Sequence, residues 1–248
     1  MKKLALLTLG LATASLAHAQ SGFRIGVRVG GTLSTIGGKN ADQVAGPNGS
    51  ADINYLPGFN AGLSFQLPLS SDGFWTLAPE LLVNRKGFKR SYQITDRNTL
   101  NTRFGAEGPS IDKFESEGKR NFTYIDLPIP VRINTAPGGS GLYFELGPQV
   151  GYMARSSQKF TETTKYNNGT KDKPSSPGGD YKEDLSSFDI GGVAGLGYQT
   201  EGGLSLGVRY NQGFKTLFDT KDVSARYEPK AFNRQFTVQL GYLLPLGK

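Results

Sequence analysis

An alternation of apolar and polar or small side chains, with a period of two residues, is the feature that most constrains this chain. In residues 74–88 the odd positions from Trp75 to Val83 are apolar, whereas Glu80, Asn84 and Lys86 occupy even positions. A period of two predicts a β-strand with two different faces. This segment is long enough to cross a membrane as one tilted strand, which takes roughly 9–11 residues.

The alternation occurs in eight segments, which the sequence predicts as strands: residues 23–33, 56–69, 74–88, 122–134, 142–153, 188–199, 204–211 and 232–244. Three connections are short and rich in Gly and Ser, and four are long and polar: the short ones are 70–73, 135–140 and 200–203, and the long ones are 34–55, 88–121, 154–187 and 212–231. Short turns on one side and long loops on the other are typical of outer-membrane barrels. We therefore predict an all-β fold, an eight-stranded antiparallel up-and-down transmembrane β-barrel with short periplasmic turns and four long extracellular loops.

The first nineteen residues have the pattern of an export signal. Lys2 and Lys3 precede an apolar stretch at residues 4–16, and Ala17-His18-Ala19 is a small-x-small cleavage site. This pattern predicts a cleaved signal peptide at 1–19 and a barrel domain at 20–248. His18 is the single histidine and there is no cysteine. The mature chain would therefore lack the residues of Ser-His-Asp and Cys-His nucleophilic sites and of zinc sites, so we predict a non-enzymatic protein without a cofactor.

Alternation alone does not decide which face points outward. A soluble barrel of the lipocalin type would bury the apolar set. Glycine is abundant on the polar face, and inside a narrow barrel glycine makes room for larger neighbours, which favours an apolar exterior. Aromatic residues fall near the strand ends, as in the two girdles of lipid-facing barrels. The predicted girdles are Phe23, Phe65, Trp75, Phe144, Tyr198 and Tyr242 near the periplasm and Tyr152, Phe188, Tyr210 and Phe232 near the outside.

The polar face carries a set of charges that the barrel would enclose: Arg24, Arg28, Lys86, Arg132 and Arg209 are positive, and Glu80, Asp126, Glu145 and Asp189 are negative. An eight-stranded lumen is just wide enough for side chains to fill it, and an isolated buried charge is costly. We predict a plug of ion pairs, centred on Glu80 with Arg132 or Arg209. A small gated pore or a proton-linked site is the alternative.

Prolines interrupt this pattern. Proline cannot donate a hydrogen bond to a strand ladder, and Pro128 and Pro130 fall inside the predicted fourth strand. We interpret this pair as a β-bulge.

The long loops are the natural functional surface. They contain 18 Lys and Arg against 15 Asp and Glu, interspersed, so nothing in them indicates nucleic-acid binding. Eight scattered aromatic residues either contact a partner or pack the loops onto the rim, and the sequence leaves both open: Tyr92, Phe104, Phe114, Tyr166, Tyr181, Phe214, Phe218 and Tyr227.

Five segments together resemble the PorT-like outer-membrane β-barrel proteins of Bacteroidetes-type bacteria: LAPELLVNRKG at 77–87, YIDLPIPV at 124–131, ELGPQVGY at 145–152, LGVRYNQG at 206–213 and QFTVQLGY at 235–242. Ala78 replaces the usual Gln, and residues 245–248 extend past the expected terminal strand. The resemblance implies an outer-membrane location and, for the namesake of the family, a role in secreting proteases to the surface. We therefore expect a monomer in outer-membrane lipid that acts by structure or by interaction, with envelope or secretion proteins as partners of its loops.

Overall fold

Every long strand pairs antiparallel with its neighbour in the chain, and the last pairs back with the first. The computed structural model describes residues 23–39, 41, 52–176, 182, 185–219 and 230–245; the predicted signal peptide lies outside them. The strands are β1 Arg24–Gly37, β2 Asp52–Pro68, β3 Trp75–Leu77, β4 Glu80–Ile94, β5 Ile111–Pro128, β6 Val131–Ala136, β7 Ser140–Tyr166, β8 Lys171–Asp172, β9 Ser175–Ser176, β10 Phe188–Gln199, β11 Leu204–Gly213 and β12 Phe232–Pro245. An α-helix, α1, spans Arg97–Phe104, and 3-10 turns span Gly105–Ser110 and Pro137–Gly139.

The sheet closes into a barrel because β1 pairs on both sides. It faces β12 from Arg24 opposite Pro245 to Gly37 opposite Phe232, and it faces β2 from Arg24 opposite Gln66 to Ser34 opposite Leu56. The ring runs through β1, β2, β3 with β4, β5 with β6, β7, β10, β11 and β12. The predicted eight-stranded antiparallel up-and-down barrel is confirmed. Within the described residues, no helix has the length and apolar character needed to cross a membrane.

Prolines interrupt two adjacent strands of the barrel, between β3 and β4 and between β5 and β6, without changing the register of strand pairing. Leu77 lies opposite Val131 and Leu82 opposite Asp126, so no extra residue stands between β3 and β4 or between β5 and β6. The prediction of a bulge at Pro128 and Pro130 is therefore wrong. Proline simply lacks the N–H group that a ladder needs, and the neighbouring Ala78 N–H still donates to the Pro130 carbonyl at 2.8 Å.

The barrel buries polar side chains and exposes apolar ones. Along β12, Val238 is 58% exposed and Leu240 is 49% exposed, whereas Thr237 and Gln239 between them are each 3% exposed. A soluble barrel would show the opposite arrangement, since burial of apolar area is what stabilises a protein in water. The outward apolar face instead requires a lipid environment.

Three strands continue past the barrel as an ordered extracellular sheet, where the sequence analysis expected loops at 88–121 and 154–187. β4, β5 and β7 remain paired as far as Ile94 opposite Phe114 and Ile111 opposite Tyr166. We call the part of these strands beyond the barrel, together with α1, the extension. Its strands are stable because Ile94, Leu100 of α1, Ile111 and Phe114 form a hydrophobic core of their own. The polar composition of residues 88–121 and 154–187 gives no indication of this core in the sequence.

Helix α1 begins at a capped end. The carboxylate of Asp96 accepts a hydrogen bond from the Thr99 N–H at 2.8 Å and one from the Thr99 hydroxyl at 2.8 Å. Side-chain acceptors at this position satisfy backbone donors that have no partner within the helix. The same two bonds hold the pKa of Asp96 below its usual value. The helix ends at Gly105, whose φ of 55° favours glycine.

Glycines on the inner face make room for Tyr143. A Cβ on Gly197 would lie 2.4 Å from the Leu206 carbonyl oxygen and 2.5 Å from the Tyr143 ring and hydroxyl. We expect Gly197→Ala to lower the free energy of unfolding by about 1–3 kcal/mol, because the crowded neighbours must move. The measurement is chemical unfolding in detergent micelles.

Gly31→Ala is the matched control, because no atom lies within 4 Å of a Cβ placed at that outward position. We expect it to leave the free energy of unfolding nearly unchanged. Equal losses for the two variants would contradict the close packing of Tyr143 in the lumen.

Candidate functional site in the lumen

Five charged side chains meet at the middle of the lumen, and we call them the central cluster: Arg28 of β1, Glu80 of β4, Arg132 of β6, Glu145 of β7 and Arg209 of β11. All five are buried. Their strands are not all neighbours in the sheet, so the cluster spans the lumen from wall to wall. It holds three positive and two negative charges.

Glu80 contacts three arginines. Its Oε1 lies 2.7 Å from Nη1 of Arg28 and 3.6 Å from Nη2 of Arg132, and its Oε2 accepts a hydrogen bond from Nη1 of Arg209 at 2.8 Å. The sequence pattern predicts Glu80 beside Arg132 or Arg209. The structure brings both of them to this carboxylate, together with Arg28.

Glu145 of β7 completes the cluster. Its Oε2 accepts a hydrogen bond from Nε of Arg132 at 2.8 Å, and its Oε1 accepts one from Nε of Arg209 at 2.7 Å. Nη2 of Arg209 also lies 2.7 Å from this Oε1. Arg209 therefore bridges the two carboxylates, as a planar guanidinium with several donors can. Both glutamates are fully occupied by arginines.

A second group, the upper cluster, lies closer to the extracellular side and consists of Lys86, Asp126 and Asp189. Nζ of Lys86 is 2.9 Å from Oδ2 of Asp126 and 3.6 Å from Oδ2 of Asp189. Asn84 donates to Asp126 at 2.7 Å, and Asn233 donates to Asp189 at 2.9 Å. This cluster has one positive and two negative charges, so the surplus charges of the two clusters are opposite.

Arg24 does not join either cluster, unlike the other eight charges predicted to line the lumen. It begins β1, opposite Pro245, and within the described part of the chain it forms no ion pair. Arg24 is four positions from Arg28, which is about 13 Å along the strand. Nη1 of Arg24 is buried and has no hydrogen-bond partner among the described residues, so its place in the lumen network stays a prediction.

Both ends of the lumen are filled by groups that the sequence analysis missed. On the extracellular side, Phe88, Phe122 and Met153 pack with Leu217 and Phe218 from the last long connection in an apolar plug. Phe88 and Phe122 continue the inward phase of their strands, which is the signal that could have indicated this plug. Nothing in the sequence pattern brings Leu217 and Phe218 to it.

The turn that precedes β7 is hydrogen-bonded to inward side chains at the periplasmic end of the lumen. Gln199 donates to the Gly139 carbonyl at 2.8 Å and to Oε1 of Gln66 at 2.8 Å. Higher in the lumen, a void bordered by Lys86, Gln149 and Asp189 has a volume of about 10 Å³. A single water needs a comparable volume.

Residues 18–219 match the family model described as the outer membrane protein beta-barrel domain. The chain belongs to this family. No curated protein matches the chain.

Solved structures of outer-membrane proteins are similar to this β-barrel-domain chain at low sequence identity. Neisserial surface protein A is 13% identical with a TM-score of 0.37, over 90% of this chain and 97% of that one. Ail of Yersinia pestis is 12% identical with a TM-score of 0.39, over 91% of this chain and 100% of that one. OprG from Pseudomonas aeruginosa is 12% identical with a TM-score of 0.37, over 92% of this chain and 98% of that one.

In this outer-membrane barrel the residues predicted to form girdles all lie on the outer wall. Six are exposed and four are half-buried: Trp75, Phe144, Tyr152, Phe188, Tyr198 and Tyr242 are exposed, and Phe23, Phe65, Tyr210 and Phe232 are half-buried. The Tyr152 and Phe188 rings of adjacent strands lie 5.4 Å apart between centroids. Their contact with the membrane interfaces stays a prediction.

Five of the eight loop aromatics pack within the protein, which favours packing over partner contact for those five. Tyr92, Phe104, Phe114 and Tyr166 belong to the core of the extension, and Phe218 belongs to the apolar plug. Phe214 is 65% exposed. Tyr181 and Tyr227 lie outside the described residues.

Proposed function

We propose that this protein is a non-enzymatic outer-membrane barrel with a charge-plugged lumen, and that it acts by presenting its extension to a partner outside the cell. One observation carries the proposal. The two charge clusters, the periplasmic turn and the apolar plug make contacts inside the barrel, and the ordered sheet continues beyond it, which supports a closed lumen. The filled barrel is then a rigid base and the extension is the working surface.

The extension has the properties of a presented surface. β7 has 27 residues, far more than the roughly 9–11 that cross a membrane. Its outer edge is covered by β8 and β9, which pair with Thr164–Lys165 and Phe160–Thr161. Short covering strands protect an edge from uncontrolled pairing, so the faces of the sheet and α1 are left for contacts with a partner.

Site-specific photocrosslinking in intact cells tests the proposal. We expect a crosslinkable residue at Gln93, Asn101 or Asp112, which are exposed positions of the extension, to give a discrete adduct with a second protein. The same residue at Val150, on the outward face of the barrel wall, is the control and should give none. Absence of an adduct from all three extension positions, at normal protein levels, would contradict the proposal.

The secretion role implied by the PorT-like resemblance is one form of this function. It requires the adduct to contain an envelope component of a secretion system, and identification of the adduct by mass spectrometry tests this. A partner unrelated to secretion would leave the interaction function standing and remove the secretion role.

A small gated pore is the second candidate, and the charge surplus of the central cluster favours it. Nη1 of Arg132 is buried and has no hydrogen-bond partner among the described residues. An unsatisfied buried donor is costly, and a passing anion would satisfy it. Conductance in a planar bilayer separates this candidate from the closed barrel.

A further inference from the structure

Five cations lie together on the outer wall, immediately beyond the apolar band of β4, β5 and β7. Lys89 of β4 is directly opposite Lys119 of β5, which is directly opposite Lys159 of β7. Four residues closer to the membrane, Arg85 is opposite Thr123, which is opposite Arg155. We call Arg85, Lys89, Lys119, Arg155 and Lys159 the outer cationic patch.

The patch faces away from the barrel axis. Arg85 and Lys89 share the period-two phase of the exposed Leu81 and Val83, and Lys119 shares the phase of the exposed Ile125. On β7 the register shifts between Met153 and Arg155, which returns Arg155 and Lys159 to the outward face. The cations therefore stand directly above side chains that contact lipid tails.

Lys89, Lys119 and Lys159 form a row of three like charges across neighbouring strands, which we call the lysine row. Like charges directly opposite each other destabilise a sheet. Among the described residues, none of the five cations forms an ion pair. The same face shows how the chain neutralises such a pair elsewhere. Lys113 is opposite Lys165, and Glu115 lies 2.7 Å and 3.0 Å from their ammonium groups. The lysine row of the patch lacks such a carboxylate contact within the described chain.

The lysine row lines a concave surface. A pocket with a volume of about 470 Å³ is bordered by Lys89, Lys119 and Lys159 together with Asn54, Ser91 and Thr161. Glu117 also borders it, without an ion pair to a described cation. Ammonium groups with hydroxyl and amide neighbours are suited to bind phosphate oxygens.

We propose that the outer cationic patch binds the phosphate groups of an anionic lipid in the outer leaflet. The two rows are about 13 Å apart along the strands, and the apolar wall below them receives the acyl chains. Basic clusters next to a membrane surface bind anionic headgroups in this way. Continuity between the patch and the lipid-facing wall selects a lipid over a soluble anion. The proposal is independent of any protein partner of the extension.

The test is native mass spectrometry of the full chain in detergent, titrated with diphosphoryl lipid A. Because each cation near an anionic surface contributes about 1 kcal/mol, we expect Lys89→Gln/Lys119→Gln/Lys159→Gln to weaken binding by about 100-fold. The control Arg103→Gln/Lys113→Gln/Lys165→Gln removes three cations of the same extension outside the patch and should change binding by less than threefold, about 0.6 kcal/mol.

Two further arms identify the source of the phosphate. Dephosphorylated lipid A should bind at least tenfold more weakly than the diphosphoryl form, and equal binding would overturn the proposal by leaving the apolar wall as the binding surface. The soluble diphosphorylated glucosamine disaccharide, which lacks acyl chains, should also bind at least tenfold more weakly. Equal binding of that disaccharide would identify a site for soluble anions and would overturn the proposal that the ligand is a lipid.

Stability measurements by unfolding in detergent distinguish a loss of lipid binding from a loss of folding. Removing like charges should leave the triple lysine variant at least as stable as the wild type without lipid, whereas added diphosphoryl lipid A should stabilise the wild type alone. If the triple variant does not refold, Lys119→Gln at the centre of the row replaces it, with an expected loss of about fivefold. Equal stabilisation of wild type and variant by the lipid would overturn the proposal.

Discussion

Glu80→Gln is expected to lower the free energy of unfolding by about 3–5 kcal/mol, because it leaves buried arginines without their counter-charge. The carboxylate of Glu80 contacts Arg28, Arg132 and Arg209, and it is 0% exposed. The amide of glutamine keeps the shape but removes the charge, and it offers those arginines one acceptor oxygen in place of two. Chemical unfolding of the refolded protein in detergent measures the loss.

Glu115→Gln is the matched control for this substitution. Glu115 also contacts two cations, Lys113 and Lys165, but it lies in the extension where its side chain is 33% exposed. Those lysines hold the pKa of Glu115 below its usual value. Solvent-accessible ion pairs contribute at most about 1 kcal/mol. Similar losses for the two variants would show that the central cluster does not stabilise the barrel.

Phe122→Ala is expected to cost about 3–5 kcal/mol, the usual range for removing a fully buried Phe. Phe122 is 0% exposed in the apolar plug and its ring lies 6.2 Å from that of Phe88 between centroids. The cavity left behind opens the extracellular end of the lumen. Because the two charge clusters below are untouched, we expect this variant to remain closed to ions.

Phe214→Ala controls for the loss of an aromatic side chain, since Phe214 is 65% exposed. Its unfolding free energy should match that of the wild type within about 0.5 kcal/mol. A steady current through Phe122→Ala would show that the apolar plug, rather than the charge clusters, closes the lumen.

The barrel itself could be predicted because its signal is local. Alternation along a single strand decides which side chains face inward, and this placed Glu80, Glu145 and Arg209 on the inner face. Short and long connections alternate along the chain as well, so the topology follows from spacing. The glycines opposite Tyr143 follow from the same logic, since a narrow lumen has room for one large side chain only where its neighbours are small.

What could not be predicted depends on contacts between distant segments. Arg28 reaches Glu80 because the stagger of the strands sets their relative height, and a single-strand pattern does not contain that stagger. The extension could not be predicted because β4 and β5 carry charges on one face beyond the barrel. Their other face packs against Leu100 of α1, the helix that connects the two strands in the chain. The place of Leu217 and Phe218 in the apolar plug could not be predicted for a similar reason. The connection that carries them has no hydrophobic period to indicate where it folds back onto the barrel.

The ion conductance of the refolded wild-type protein in a planar lipid bilayer tests the central claim most directly. A lumen filled by the central cluster, the upper cluster and the plugs at both ends predicts no channel current from the wild-type protein. Glu80→Gln and Phe122→Ala are recorded under the same conditions for comparison. Steady, reproducible wild-type channels that change in amplitude with Glu80→Gln would contradict the closed barrel. They would make the central cluster the lining of a conducting path and the pore the function of this protein.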